Sequence, residues 1–222
     1  MISAESLVRV GTIYMPFLFA LCFHEFAHGW VAKLKGDRTA EVMGRLTLNP
    51  AAHADLLGTV ILPLMAVLMP GFGFFFGWAK PVPVDERNLK HPLKDMFWIA
   101  LAGPLSNLLL AFLGIVVLVL TLVVFAAEMK SQEDFLREVL GSFVQINLFL
   151  AFFNLIPLHP LDGGKVLARF LPRSWNMKLE ENQGMLNIIL IALFITGALR
   201  VLAYPVLWTY QGMLNLVLRV LV

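Results

Sequence analysis

Two histidines and a glutamate inside an apolar stretch are the residues of this chain best suited to chemistry. His24, Glu25 and His28 form the pattern H-E-x-x-H. On a helix, residues four apart emerge on one face, and Glu25 is rotated about 100° from His24. Two neutral imidazoles beside a carboxylate that can take a proton from water are the arrangement of zinc hydrolases. The pattern predicts His24 and His28 as metal ligands and Glu25 as the general base.

The residues around this motif indicate that it lies within a membrane. The motif interrupts a run that is otherwise apolar from Gly11 to Ala32. Ionisable groups at the centre of a bilayer cost roughly 2.5–3.5 kcal/mol each on insertion scales, so three of them within five residues need a compensating purpose. The alternatives are a chance match and a polar contact between helices. The apolar surroundings favour a buried metal site over both.

Composition places the whole chain among membrane proteins. Of its 222 residues, 59% are hydrophobic and 14% are charged, against about 45–50% and about 25% in ordinary globular chains. The net charge is +2, and no basic patch is interleaved with aromatic residues, so we expect no nucleic-acid partner. The single cysteine, Cys22, excludes a disulfide within the chain. We expect an all-α, multi-pass membrane protein that forms one domain over residues 1–222.

Apolar runs and their breaks predict a bundle of five to six transmembrane helices. A helix needs about 20 apolar residues to cross a bilayer core. Proline and glycine break the stretch 55–79, so we expect it to re-enter the membrane, an arrangement that gathers most lysines and arginines on one side. Residues 72–84 could then form a membrane-embedded strand or hairpin, and Pro81 and Pro83 would confine it to a sheet edge. Full spans are predicted at 7–33, 96–127, 139–158, 185–203 and 205–221.

A zinc site needs a third protein ligand, and residues outside the motif could supply it. The candidates are His53, Asp55, His159 and Asp162. Asp162 is favoured because it follows a span that prolines break, where a metal would offset the cost of a buried carboxylate. The alternative role of Asp162 is the N-cap of a short helix over 163–171. Spacing alone does not decide between the two roles.

Three motifs together resemble the site-2 protease family of intramembrane zinc metalloproteases, in its compact bacterial form. They are His24-Glu25-Phe26-Ala27-His28, Gly103-Pro104-Leu105-Ser106-Asn107 and Asn154-x-x-Pro157-x-x-x-x-Asp162-Gly163. The resemblance implies a zinc metalloendopeptidase in which His24, His28 and Asp162 bind one Zn²⁺ ion and Glu25 is the base. It also implies that Asn107 and Asn154 line the substrate cleft. Hydrogen bonding between helices is the alternative for both asparagines.

The resemblance also implies the substrate and the location. The substrate would be a transmembrane protein or peptide, cleaved in regulated intramembrane proteolysis after it is unwound and paired with the strand region near 72–84. The membrane would be a bacterial inner membrane. We place the catalytic core at about residues 7–172 and accessory helices at 185–221. We expect no PDZ or CBS domain and no removable signal peptide.

A protein that only binds or moves metal is the alternative class. A membrane metal transporter or a metal-binding scaffold could also place histidine and aspartate inside the bilayer. A transporter more often repeats its ligands along several helices, so that ions pass between them. The predicted spans 185–203 and 205–221 contain no histidine, aspartate or glutamate, which disfavours such a relay.

Overall fold

The structure is a computed structural model that describes residues 4–69, 77–125 and 130–221. Helices make up most of this described chain, and no β-strand is assigned within it. The helices are α1 (residues 4–34), α2 (Thr39–Val42), α3 (Pro50–His53), α4 (Leu56–Leu68), α5 (Pro92–Phe125), α6 (Lys130–Asn154), α7 (Asp162–Ala168), α8 (Arg173–Glu181), α9 (Gln183–Ile195) and α10 (Ala203–Leu221). Turns of π-helix occur at Val10–Tyr14 and Leu56–Ile61, and 3₁₀ turns at Glu86–Asn88 and Ala198–Leu202.

Helix α1 carries the H-E-x-x-H motif in its buried part. Its segment Met15–Leu34 is apolar on most of its surface, as a helix enclosed by other apolar groups requires. His24, Glu25 and His28 are all buried. After the helix ends, Gly36 has a φ of 109°, a left-handed conformation that glycine adopts without strain.

Helix α5 is the centre of the bundle. It packs against α1, α6, α7 and α10. Its 34 residues give a length of about 51 Å, which exceeds the bilayer core of about 30 Å. A cluster of buried aliphatic side chains joins α5 to α6 and α10: Ala111, Ile115, Val119, Val144, Leu148, Val206 and Val217. This cluster sets the position of α5 relative to its neighbours, and hence of the side chains that α5 directs at α1.

Four helices of the described chain are long and apolar enough to cross a membrane, and the predicted count of five to six is not confirmed. They are Glu5–Leu34, Pro92–Val123, Phe135–Asn154 and Ala198–Leu221. The two other apolar helices, α4 and α9, are shorter. Helix α9 has 13 residues, or about 20 Å. Gly197 follows it with a φ of 74° and separates it from the next span, so the predicted span 185–203 is divided.

The predicted strand or hairpin at 72–84 is not confirmed. Residues 72–76 lie outside the described residues. Residues 77–84 follow a course without helix, and no strand is assigned to them. Pro81 and Pro83 lack the N–H groups that a strand ladder needs. In the segment 77–84, the N–H groups of Trp78 and Lys80 instead donate to carbonyl oxygens that precede the segment in the chain, and Val82 N–H donates to a side chain of α1.

Residues 45–58, from the loop after α2 to the first turn of α4, hold this segment in place. Trp78 N–H donates to the Gly58 carbonyl oxygen at 3.0 Å, and Lys80 N–H donates to the His53 carbonyl oxygen at 2.8 Å. The Arg45 guanidinium donates to the Lys80 carbonyl oxygen at 2.7 Å. A Cβ atom at Gly58 would lie 2.2 Å from the Trp78 ring, so only glycine allows this contact. The loop thus positions residues 78–80 without strand pairing.

Asp37 joins the end of α1 to the turn that follows this segment. Its carboxylate is fully buried. Oδ2 accepts from Asp85 N–H at 2.8 Å, and Oδ1 accepts from the Asn88 side chain at 2.9 Å and from Thr39 N–H at 3.0 Å. Burial opposes ionisation of Asp37, but the hydrogen bonds from Thr39, Asn88 and Asp85 outweigh it and hold its pKa below the usual value.

Replacing Asp37 by asparagine should destabilise the protein by about 1–3 kcal/mol, because an amide cannot accept all of these bonds and leaves buried donors without partners. The lowered pKa means that the carboxylate contributes fully above the ordinary value near 3.9, and the contribution is lost as pH falls through the lower folded value. Thermal unfolding in detergent at pH 7 and at acidic pH measures both effects. Glu86→Gln is the control, since Glu86 is exposed on the same turn; equal midpoints for the two variants would contradict the assignment.

Candidate active site

Three residues predicted as metal ligands meet at one point. His24, His28 and Asp162 each offer a ligand atom, and these atoms lie within 4.8 Å of one another. Asp162 Oδ2 is 3.0 Å from His24 Nε2 and 3.2 Å from His28 Nε2. The histidines belong to α1, and the aspartate is the first residue of α7. Within the described parts of the chain, this is the one such cluster of histidine, cysteine and acidic residues.

Hydrogen bonds on the far side of each ring orient the two imidazoles. His24 Nδ1 lies 2.6 Å from the Asn107 side-chain oxygen, and His28 Nδ1 lies 2.6 Å from the Ile99 carbonyl oxygen. A carbonyl oxygen can only accept, so each Nδ1 donates. In the neutral rings, both Nε2 atoms then carry a lone pair that faces Asp162. This is the state in which a histidine binds a metal.

Gly103 on α5 leaves the space that the imidazoles occupy. A Cβ atom at this position would lie 2.5 Å from His24 Nε2 and 2.5 Å from His28 Nε2. Cβ contacts in proteins are essentially never shorter than 3.0 Å, so any larger residue would displace a ring. The glycine of the G-P-L-S-N motif is therefore a steric requirement of the site.

Asp162 reaches the histidines because the chain leaves the helical path between α6 and α7. Residues 155–161 form turns and bends between the two helices. A Cβ atom at Gly163 would lie 2.3 Å from the Ile156 carbonyl oxygen and 2.4 Å from that of Leu155. Glycine at 163 therefore allows α7 to begin directly against the end of α6.

The carboxylate of Asp162 faces the histidines and does not cap its own helix. The N-cap of α7 is Leu161, which forms no side-chain cap bond, so the alternative role of Asp162 is not observed. The carboxylate instead lies between the two imidazoles, where a metal held by all three groups would offset the cost of its burial.

Glu25 lies in the same cavity as these three residues but outside the ligand cluster. Its Oε2 atom accepts a hydrogen bond of 2.8 Å from Val82 N–H, in the segment 77–84. The side chain is buried. Val82 N–H thus holds one oxygen of a buried carboxylate that lines the cavity.

The cavity has a volume of ≈ 1010 Å³, at the upper end for ligand pockets. Its walls come from α1, the segment 77–84, α5, α6, α7, α9 and α10. Most of the lining residues are apolar, including Trp78, Phe149, Phe153 and Leu190. The cavity therefore offers an apolar space beside the metal-ligand cluster.

The two asparagines predicted to contact substrate lie in different environments. Asn154 lines the cavity, and its amide donates to the Leu150 carbonyl oxygen at 3.0 Å. Asn107 is fully buried and does not line the cavity. Its side chain instead bonds to His24, to the Ala20 carbonyl oxygen and to Asn147. The geometry of Asn107 thus matches the interhelical alternative.

The remaining ligand candidates lie outside the cluster. His53 is buried in the loop, where its Nε2 atom is 2.7 Å from the Thr47 carbonyl oxygen. Asp55 caps α4, with Oδ1 accepting from Leu57 N–H and Gly58 N–H. His159 is buried on the connection between α6 and α7 and is not part of the cluster.

Sequence reasoning did not identify three groups that contact the site. They are the Val82 N–H on Glu25, the Ile99 carbonyl on His28, and Asn147 behind Asn107. Two of these are backbone groups, which no residue type reveals. A polar residue within an apolar span could have drawn attention to Asn147, since such residues seek partners on neighbouring helices.

Comparisons with known proteins agree with this site. The family model of peptidase family M50 matches residues 12–135 and 120–197. YwhC of Bacillus subtilis, named as a candidate zinc metalloprotease, is 36% identical over 198 residues, covering 87% of this chain and 86% of its own. Stage IV sporulation protein FB of Bacillus subtilis is 32% identical over 155 residues, covering 69% and 48%. Zinc metalloprotease MJ0392 of Methanocaldococcus jannaschii is 25% identical over 193 residues, covering 83% and 44%.

No solved structure matches this chain significantly. The family match covers well over half of the chain, and the relative YwhC is similar along most of both sequences. The clustered histidines and aspartate agree with the zinc that the names of these relatives specify. The chain belongs to peptidase family M50, and it is a membrane zinc metalloprotease of the site-2 protease type.

Proposed function

We propose that this chain is an intramembrane endopeptidase that hydrolyses peptide bonds of membrane-embedded proteins. His24, His28 and Asp162 hold one Zn²⁺ ion, and Glu25 is the general base. The convergence of the three ligand atoms within 4.8 Å carries this proposal. The cluster joins α1, which is long enough to span a membrane, to Asp162, which lies 138 positions after His24 in the chain.

The donor atoms suit zinc. Two imidazole nitrogens and one carboxylate oxygen form a three-ligand set that catalytic zinc sites use. When bound, zinc supplies a Lewis acid that polarises a peptide carbonyl and lowers the pKa of water. The protein holds both rings by their Nδ1 atoms, which keeps the Nε2 atoms directed at the same point. Because these contacts are buried, bulk water does not compete for them.

Glu25 moves the proton. Val82 N–H donates to Oε2 and holds that oxygen in place. The second oxygen, Oε1, can then take a proton from the attacking water and deliver it to the leaving amine. The apolar cavity holds the substrate peptide beside this group.

The backbone at Ala79 is suited to hold an unwound substrate. A helical substrate must give up its own hydrogen bonds before its peptide bond can be attacked, and pairing with extended chain replaces them. The loop uses the N–H groups of Trp78 and Lys80. Along extended backbone, the groups of the intervening residue point to the opposite edge. Ala79 lines the cavity, and its N–H and carbonyl form no hydrogen bond with the described residues.

The proposed catalytic core remains residues 7–172, in a single domain that spans the bilayer several times. Residues 185–221 are proposed as accessory helices, and α9 and α10 supply one wall of the cavity. The proposed location is a bacterial inner membrane, and the proposed role is regulated intramembrane proteolysis. The resemblance to YwhC and to stage IV sporulation protein FB, both from a bacterium, supports this location.

Replacing Glu25 by glutamine should abolish cleavage and leave zinc in place. The amide keeps the shape of the side chain and can still accept from Val82 N–H, but it cannot take a proton. General acid–base catalysis contributes about 10²–10⁴-fold, so cleavage of a reconstituted transmembrane substrate should fall by at least about 100-fold. The exposed Glu181→Gln is the control. Cleavage at the wild-type rate by the Glu25 variant would reject the assignment.

Replacing Asp162 by alanine should remove bound zinc, because the site loses its only anionic ligand. Metal analysis of purified protein should find about one zinc per chain in the wild type and far less in Asp162→Ala and His24→Ala. Asp55→Ala should retain zinc, since Asp55 caps α4 away from the cluster. Full zinc content in Asp162→Ala would mean that another residue is the third ligand.

Replacing Ala79 by proline should prevent substrate pairing and preserve the metal site. Proline removes the N–H that faces the cavity but leaves the loop bonds of the neighbouring residues available. Cleavage of a helical transmembrane substrate should fall at least about tenfold, with zinc content unchanged. Ala79→Ser keeps the N–H and should cleave as the wild type does. Equal activity of the proline and serine variants would exclude backbone pairing at this position.

A further inference from the structure

A line of side-chain hydrogen bonds runs from the metal site through the interior of the bundle. The Asn107 oxygen lies 2.6 Å from His24 Nδ1. The Asn107 amide donates to the Asn147 side-chain oxygen at 2.8 Å, and the Asn147 amide donates to the Phe143 carbonyl oxygen at 2.8 Å. The line thus joins α1, α5 and α6. Asn107 and Asn147 are both 0% exposed, so water cannot replace any of these bonds.

Backbone carbonyls at two points set the direction of every bond in this line. The Phe143 carbonyl can only accept, so Asn147 must turn its amide nitrogen toward it and its oxygen toward Asn107. The Ala20 carbonyl oxygen lies 3.2 Å from the Asn107 nitrogen and can likewise only accept. The Asn147 oxygen and the Ala20 carbonyl oxygen both accept from the Asn107 nitrogen, so they require the same orientation of the Asn107 amide. The Asn107 oxygen then faces His24. The network therefore defines the amide orientations, which atom positions alone do not.

We infer that Asn147 is a positioning residue for the metal site and acts on His24 through Asn107. The inference rests on the proposed role of His24 as a zinc ligand. Because the Asn107 oxygen faces the ring, His24 Nδ1 must carry the proton, and Nε2 must present its lone pair to the metal. Asn147 supplies an acceptor that keeps Asn107 in this orientation. Without Asn147, only the longer bond to the Ala20 carbonyl opposes rotation of the Asn107 amide.

A purely structural role explains Asn147 less well. Its neighbours on α6, Val144 and Leu148, are fully buried members of the aliphatic cluster with α5 and α10. A leucine at 147 has the same branched shape without a polar group to bury, and replacing both partners of a buried hydrogen bond by apolar groups is often neutral for stability. Asn147 pairs with Asn107, which in turn contacts a ligand candidate, so its polar group serves the site.

Zinc affinity in the purified full-length protein tests this inference, with a chromophoric chelator as competitor. Loss of an outer partner of a metal-binding histidine typically weakens affinity 10–100-fold, and we expect a loss in this range for Asn147→Leu. Leu148→Ala is the matched control on the same helix. It should lower the thermal unfolding midpoint but leave zinc affinity within threefold of the wild type. Wild-type affinity in Asn147→Leu, or an equal loss in Leu148→Ala, would overturn the inference.

Two further variants separate a hydrogen-bond effect from a change in shape. Threonine at 147 can donate to the carbonyl four residues earlier and accept from Asn107, so Asn147→Thr should bind zinc more tightly than Asn147→Leu. In an Asn107→Leu background, Asn147→Leu should cause no further loss, because its route to His24 is gone. Zinc affinity in Asn147→Thr no better than in Asn147→Leu, or additive losses in the double variant, would contradict the action of Asn147 through Asn107.

His24→Ala separates failure of this inference from failure of the proposed function. If His24→Ala loses zinc while Asn147→Leu binds it as the wild type does, the ligand assignment holds and the positioning role of Asn147 is wrong. If His24→Ala retains wild-type affinity, His24 is not a ligand, and both the proposed metal site and the positioning role of Asn147 fail.

Discussion

The position of the Asp162 carboxylate between two imidazoles is the interaction on which the rest of the structure depends. Separately, each group would be costly in surroundings this apolar, since buried charges need partners. Together they form a compact set of donor atoms within 4.8 Å. The remaining local features serve this contact. Gly103 leaves space for the rings, and Gly163 lets α7 begin close enough to present the carboxylate.

Backbone carbonyls supply much of the order around this contact. Ile99 fixes His28 directly, and Phe143 and Ala20 fix His24 through asparagine side chains. A carbonyl has one role in a hydrogen bond, whereas an amide side chain has two and can rotate. A line of side chains that ends on a carbonyl therefore has only one consistent direction. In this way helices that are packed by aliphatic contacts also determine which nitrogen of an imidazole is protonated.

The sequence predicted the local part of the site better than the parts that depend on distant contacts. Helical spacing places His24 and His28 on one face, and the two side chains do lie together. Asp162 is favoured among four candidates because prolines break the span before it, but spacing leaves its N-cap role open, and only the three-dimensional structure brings it to the histidines. The strand near 72–84 depends on which groups satisfy the backbone, and the loop around His53 and Gly58 supplies them instead. The number of spans depends on where a helix stops, and Gly197 divides a run that hydropathy treats as continuous.

The segment 77–84 connects the proposed substrate contact to the proposed base. Val82 N–H holds Glu25, and Ala79 lies three residues earlier, or about 10 Å along extended chain. A peptide that pairs at Ala79 therefore lies within a few residues' length of the carboxylate and the ligand cluster. The loop bonds to Trp78 and Lys80 keep this distance constant, because they hold the residues on either side of Ala79. One short stretch of backbone thus places the proposed substrate contact close to the proposed base, which takes its proton from water. This explains how bonds made outside the ligand cluster contribute to the geometry of the site.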